Sequence, residues 1–189
     1  PGRARHSFGP VMPHKPRKSL LRSLRLLVLD VDGTMTDGRL YYGKDGEMLK
    51  AFDVRDGHAL RLLVTSGSIR VAVITGRRAD LVQRRCRELS IAPVVGSSRE
   101  KGPALARMCA DLSIPLAQTA YMGDDVNDLP ALRMAALSCA PVDAAPEVLR
   151  EVGWISKMPA GRGAVRDLCA LILGAKVGWP PPGEPSTAA

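Results

Sequence analysis

Two acidic clusters carry most of the chain's capacity for chemistry. Asp30-Val31-Asp32-Gly33-Thr34 follows an apolar run, so two carboxylates stand two residues apart where the backbone leaves a buried strand. Tyr121-Met122-Gly123-Asp124-Asp125-Val126-Asn127-Asp128 follows another apolar run and sets three acids at the opening of a helix, where capping needs only one. Bringing Asp30 beside Asp124 costs on the order of several kcal/mol of repulsion unless a cation lies between them. A few carboxylates completed by water form the all-oxygen set that suits magnesium. A calcium loop of the EF-hand kind fits poorly. It wants a preceding helix, Gly at its sixth position and Glu at its twelfth, whereas Gly33 is fourth and Tyr41 twelfth.

Two further segments suit a phosphoryl group. Val73-Ile74-Thr75-Gly76-Arg77 offers a hydroxyl and exposed backbone N–H at a third strand end. Lys101, opening a helix after Gly96-Ser97-Ser98, offers a fixed positive charge. Taken singly, Thr75-Gly76 is a strand-to-helix turn and Lys101 a surface lysine. Their combination with the acids is what points to a site.

The elements that must position these groups are legible as continuous apolar runs at Leu26 to Val31, Val71 to Ile74, Val94 to Val95, Ala120 to Met122 and Leu137 to Cys139. Runs without alternation are strands buried on both faces, and helical patterns near 57–66, 79–89, 101–112, 127–135 and 163–173 can cover those faces. The expected fold is α/β: a Rossmann-like parallel sheet flanked by helices, whose ligands gather beyond the carboxyl ends of the strands. Arg39 to Tyr42 and Met48 to Phe52, on either side of Gly43-Lys44-Asp45-Gly46, predict a small projecting β-hairpin flap.

Composition narrows the function further. Of the 27 basic residues, seven precede the first acid, Asp30, which leaves 20 facing 19 acids from there on. The body therefore has no large positive field, which argues against nucleic-acid binding. No apolar run approaches the roughly 20 residues that span a bilayer. Leu20 to Leu29 mimics a signal sequence, but Arg22 and Arg25 interrupt it and no small-residue cleavage site follows, so a buried strand is expected there. Cys86, Cys109, Cys139 and Cys169 are widely separated, so neither a zinc cage nor a disulfide framework is indicated, and reduced thiols in the cytoplasm fit. Residues 1–21 read as a basic mobile tail, 22–177 as one catalytic domain and 178–189 as a Pro-rich mobile tail.

The four segments around Asp30, Thr75, Lys101 and Asp124 resemble, in order and context, the motifs of the haloacid dehalogenase superfamily of phosphotransferases. The resemblance implies that Asp30 attacks phosphorus and Asp32 serves as proton donor and acceptor. It also implies that Asp30, the backbone carbonyl of Asp32 and Asp124 carry Mg2+, while Thr75 and Lys101 hold the phosphoryl oxygens. Asp125 or Asp128 orients Lys101. No segment is long enough for a cap domain, so the enzyme is expected to be capless and to need neighbouring subunits to cover its site.

Longer stretches resemble the 3-deoxy-D-manno-octulosonate (Kdo) 8-phosphate phosphatase family. They are Asp30 to Gly38, Leu49 to Gly57, Thr75-Gly76-Arg77 and Gly161-Arg162-Gly163-Ala164-Val165-Arg166. That resemblance implies a cytoplasmic homotetramer releasing free Kdo for lipopolysaccharide synthesis, with the Gly161-Arg162-Gly163 segment able to close over a neighbouring site. It further implies substrate contacts from Asp32, Asp53, Val54, Arg55, Asp56, Gly57, Arg61, Arg77, Arg85 and Lys101, although Asp53 stands where the family has Asn. Two anionic ends on the substrate account for several arginines, and Arg77 and Arg85, about two helical turns apart, are expected to share a face. Two other readings are a phosphatase of a 9-phosphorylated nonulosonate and a binding module switched by phosphorylation of Asp30.

Overall fold

The computed structural model describes residues 15–181. In chain order it contains helix α1 (Lys18–Ser23), strand β1 (Leu26–Leu29), the strands β2 (Tyr41–Gly43) and β3 (Gly46–Leu49), and helix α2 (Val54–Thr65). Next come β4 (Arg70–Ile74), α3 (Asp80–Glu88), β5 (Val94–Val95), α4 (Lys101–Asp111) and β6 (Thr119–Met122). The last elements are α5 (Leu129–Leu132), β7 (Leu137–Ala140), α6 (Pro146–Leu149), β8 (Trp154–Ile155) and α7 (Ala164–Lys176).

Six strands form one sheet in the order β5-β4-β1-β6-β7-β8, each neighbouring pair parallel. Strand alternation splits the apolar runs between two cores. Leu27 and Leu29 of β1, with Val71, Val73, Ala120 and Met122, face α1, α2, α3 and α7. Leu26 and Val28, with Ala72, Ile74 and Tyr121, face α4, α5 and α6. This two-sided burial is why the strand sequences show no polar alternation. After β1 the chain builds outward through β4 and β5, then crosses back to place β6 on the other flank of β1, so the strand order reverses beside β1. That reversal opens a crevice at the carboxyl ends of β4, β1 and β6.

The hairpin pairs Gly43 with Gly46, so its turn is only Lys44-Asp45 and its second strand ends at Leu49. The strand expected to reach Phe52 therefore stops earlier, and Lys50 to Asp53 lead directly into α2. The domain edges also differ from expectation. Lys18–Ser23 is helical with Leu21 buried, and Trp179 packs on the core beneath the Arg166 guanidinium, 5.2 Å from its ring centre. Residues 1–14 and 182–189, the bulk of both expected tails, lie outside the described residues. β8 and α6 were too short to stand out in the sequence. Arg77 precedes α3, so it does not share a helical face with Arg85.

One buried carboxylate ties the layer of α2 to α7. Asp56 accepts hydrogen bonds from the backbone N–H of Gly163 at 3.2 Å and of Arg166 at 2.7 Å, satisfying donors that the start of α7 leaves open. Burial raises its carboxyl above the ordinary range, against the pull of those N–H groups. Asp56→Ala should lower stability by about 2–3 kcal/mol, because two donors lose their acceptor in a closed site. Urea denaturation would read this, and an unchanged midpoint would remove Asp56 from the fold's supports.

Candidate active site

Strand β1 ends at Leu29 with both neighbours in register, Val73 of β4 and Met122 of β6. Asp30 is therefore held at the middle of the crevice, its N–H bonded to the Met122 carbonyl at 2.9 Å. Thr75 follows β4 on one side and Gly123-Asp124 follow β6 on the other. Lys101, the first residue of α4, reaches in beneath them and is only 2% exposed.

The Lys101 ammonium lies 2.8 Å from Asp30 Oδ1 and 2.8 Å from Asp128 Oδ1. Asp128 is fully buried and takes a second bond from the Tyr121 hydroxyl at 2.7 Å. Its other oxygen accepts the N–H groups of Asp124 and Asp125, each at 3.4 Å. Asp125 is exposed and caps the following 3-10 turn through the Val126 N–H at 2.7 Å. Between the two acids left open by sequence, Asp128 is the one that orients Lys101. Tyr121 was missed as a site residue. The signal was an aromatic with a polar tip inside an otherwise apolar strand, which needs a buried partner.

Carboxylate oxygens of Asp30, Asp124 and Asp128 all lie within 4.8 Å of one another. One ammonium faces three acids. The Asp30 carboxyl is pushed up to about 7, first by burial and then by Asp128, against the pull of Lys101. Asp124 is pushed up to about 8 by burial and then by Asp30 and Asp128. Lys101 loses hydration, but its two acid partners outweigh that and hold its ammonium above the ordinary range.

This donor set fits magnesium. Asp128 has both oxygens occupied by N–H and O–H donors, which leaves Asp30 and Asp124 as the hard oxygen ligands facing the crevice. Among the described residues no hydrogen bond or ion pair reaches the Asp124 carboxylate. Gly33, at φ +79°, brings the loop after β1 against it, and a Cβ there would overlap the carboxylate.

Asp32 sits at the mouth, where Lys50 donates to its Oδ1. Lys50 also donates to Glu47 Oε1 at 2.6 Å, and its side chain is 1% exposed. Arg77 holds the other Glu47 oxygen through Nε at 3.0 Å and Nη2 at 2.9 Å, and donates to the Tyr42 hydroxyl at 3.0 Å. The Arg77 N–H closes on Thr75 Oγ1 at 3.2 Å. The hairpin is thus fastened to the crevice through Tyr42 and Glu47 and the adjoining Lys50, none of which stood out by residue type or spacing.

The remaining candidates lie around the start of α2. Asp53 caps that helix, accepting from the Arg55 and Asp56 N–H groups, and pairs with the Arg55 guanidinium at 2.7 Å. That pairing and the backbone bonds, against partial burial, hold the Asp53 carboxyl below its usual range. Val54 is 80% exposed. A Cβ on Gly57 would strike the Arg85 guanidinium, which lies across it and reaches Glu88 at 3.3 Å. Arg61 donates to the Glu88 carbonyl at 3.2 Å and the Ser90 hydroxyl at 3.1 Å. Gly161 donates to the Thr34 carbonyl at 3.3 Å, and Arg55 reaches the Arg162 carbonyl at 3.5 Å. The structure therefore gathers Asp30, Asp32, Thr75, Arg77, Lys101 and Asp124, while Arg61 and Arg85 hold to α3 within the same chain.

A buried carboxylate beside a fixed ammonium, a second carboxylate at the mouth and an oxygen cation site form the kit for phosphoryl transfer. A family model described as haloacid dehalogenase-like hydrolase matches residues 90–166. The chain is similar to 3-deoxy-D-manno-octulosonate 8-phosphate phosphatase of Salmonella typhimurium, 43% identical over 166 residues, 88% of this chain and 87% of that protein. It is also similar to the crystal structure of the phosphatase of that name from Yersinia pestis. There the TM-score is 0.81 and the identity 43%, over 84% of this chain and 85% of that one. A third similarity is to the Moraxella catarrhalis phosphatase of the same name, in complex with magnesium ion, phosphate ion and KDO molecule. Its TM-score is 0.81 and its identity 36%, over 84% of this chain and 91% of that one.

Asp124→Asn removes one member of the crowded trio. The metal-free variant should melt above the metal-free parent by about 2–4 °C per kcal/mol of repulsion relieved. Magnesium at a hundredfold excess over its Kd should stabilise the parent by about 2.7 kcal/mol and the variant by far less. Thermal denaturation with and without magnesium checks both, and a variant that melts lower and still responds to magnesium contradicts this arrangement.

Proposed function

This chain belongs to the 3-deoxy-D-manno-octulosonate 8-phosphate phosphatase family of the haloacid dehalogenase-like hydrolases, and we propose that Asp30 is the group with which it attacks the phosphate ester. The reaction is magnesium-dependent hydrolysis of 3-deoxy-D-manno-octulosonate 8-phosphate to Kdo and phosphate. The observation that carries the residue assignment is the pairing of Asp30 with Lys101 at 2.8 Å, in a crevice where the second carboxylate, Asp32, stands two residues on.

An ionised carboxylate needs no base to act as a nucleophile. An Asp30 oxygen forms a bond to phosphorus as the bond from phosphorus to the sugar oxygen breaks, and Asp32 gives its proton to that leaving oxygen. Water then attacks the phosphorus of the aspartyl phosphate, Asp32 takes the water's proton, and the Asp30 carboxylate parts from inorganic phosphate. Lys101, the Thr75 hydroxyl and the backbone N–H groups at that strand end hold the phosphoryl oxygens as charge shifts. Magnesium, held by Asp30, Asp124 and the backbone carbonyl of Asp32, supplies the positive charge that keeps both carboxylates ionised.

Arg77, half-buried at the mouth, meets the anionic sugar acid in the same subunit. The exposed Val54 and Arg55 with Arg61 and Arg85 serve a neighbouring subunit's site, whereas Asp53, Asp56 and Gly57 are taken up by the fold, and the enzyme is a homotetramer in the cytoplasm, its product going to lipopolysaccharide synthesis. Support comes from the exposed apolar side chains on this side of the molecule, Tyr42 and Met48 at 63% and Val54 at 80%, which a neighbour would cover. The cytoplasm also suits four buried, unpaired cysteines. Identity to octulosonate phosphatases over 88% of the chain favours the eight-carbon acid over a nonulosonate. Asp32 beside the nucleophile speaks against a long-lived phosphoaspartate switch.

Asp30→Asn, isosteric but poorly nucleophilic, should abolish phosphate release while leaving the circular dichroism spectrum unchanged; undiminished turnover rejects Asp30 as nucleophile. Sedimentation of the parent should give four copies, and a fully active monomer overturns the shared site.

A further inference from the structure

Lys50 has no part in the chemistry described above, yet its environment is built. A lysine following an exposed hairpin strand has water within easy reach of its long stem. Instead its ammonium is turned inward, its side chain 1% exposed, between the carboxylates of Asp32 and Glu47. Withdrawing an ammonium from water is costly unless it is paired and hydrogen-bonded. Glu47 is itself gripped by the Arg77 guanidinium, which also donates to the Tyr42 hydroxyl. A continuous line of side-chain contacts therefore runs from Asp32 through Lys50, Glu47 and Arg77 to Tyr42 of the hairpin.

Among the described residues no other group hydrogen bonds to the Asp32 carboxylate. The terminal torsion of an aspartate is soft, so an unsupported Asp32 at the mouth samples a broad range of carboxyl orientations. We propose that Lys50 is a positioning residue: by holding Asp32 Oδ1 it leaves Oδ2 to carry the proton to the leaving oxygen and then to take one from the attacking water, with Glu47 fixing Lys50 and balancing its charge. This rests on the reading of Asp32 as proton donor and acceptor. The hairpin is thereby a working part of its own subunit's acid–base apparatus as well as a cover.

The test is Lys50→Met, which keeps the stem and removes the ammonium, assayed with full-length enzyme and saturating magnesium. On the sugar phosphate kcat should fall about tenfold to a hundredfold, the loss expected for a misplaced catalytic group, with KM nearly unchanged. p-Nitrophenyl phosphate supplies a leaving group that needs no proton. Its first-turnover release of nitrophenolate should keep the parent rate, followed by a slow steady state because water attack still needs Asp32. Glu47→Gln should follow the same pattern with a smaller loss, and Lys50→Arg should recover part of kcat. An unchanged magnesium-induced rise in Tm identifies variants whose fold and cation site are intact.

Parental kcat in Lys50→Met, a loss confined to KM, or first-turnover nitrophenolate release slowed as much as sugar-phosphate turnover would each overturn the proposal. Asp32→Asn, run alongside, separates the two levels. If it is inactive while Lys50→Met is normal, only the positioning role fails; if it turns over normally, the acid–base reading beneath it fails.

Discussion

Three carboxylates converge on one ammonium inside the crevice, and most of the surrounding architecture answers that imbalance. At separations below 4.8 Å each pair of ionised acids repels by about 3–4 kcal/mol even at an effective dielectric constant near 20. The fold meets part of this by locking Asp128 with four donors and by sharing Lys101 between Asp30 and Asp128. Among the described residues Asp124 receives no such donor. Its carboxyl, and that of Asp30, stay high until positive charge arrives, so affinity for a divalent ion is a consequence of how the site is charged. The same imbalance makes Asp30 and Asp124 a site for magnesium.

Such a cluster is tolerable only on a rigid base. The central strand β1 is hydrogen-bonded on both sides and apolar on both faces, which fixes Asp30 to the best-packed part of the molecule. Lys101 enters from α4 on one face of the sheet, whereas the loop carrying Asp32 and Gly33 is tied at Thr34 to Gly161, just before α7, whose start Asp56 joins to α2 on the other face. Each face thus contributes one side of the crevice, and neither could assemble it alone.

The parts of this that the sequence displayed are those governed by local chemistry. Continuous apolar runs disclosed the two-sided strands, and acids or hydroxyls directly after them disclosed Asp30, Thr75 and Asp124. Glycines and a polar turn disclosed the hairpin to within a few residues. What stayed hidden depends on long-range pairing. The choice of Asp128 over Asp125 as the Lys101 partner is made by a 3-10 turn that buries one acid and exposes the other. The contacts of Lys50 with Asp32 and of Arg61 with Ser90 join residues 18 and 29 positions apart. Arg61, Arg77 and Arg85 looked like one anion-binding set. The structure gives Arg77 to the mouth and binds the other two to α3, because guanidinium groups follow the acceptors nearest to them in space.

The two lysines divide the site in a way that bears on how an open-mouthed enzyme stays selective. Lys101 belongs to the packed body and pairs with Asp30, the carboxylate proposed to attack phosphorus. Lys50 directly follows a two-stranded hairpin, an element too small to be stable by itself. The ion pairs of Glu47 with Lys50 and Arg77 fasten that hairpin to the crevice, and one of the same lysine's contacts reaches Asp32. Attachment of the hairpin and orientation of Asp32 are therefore a single set of interactions. On the proposed role of Lys50, whatever covers the exposed Tyr42 and Met48 side chains would also steady the Asp32 carboxyl, coupling coverage of the mouth to its chemistry.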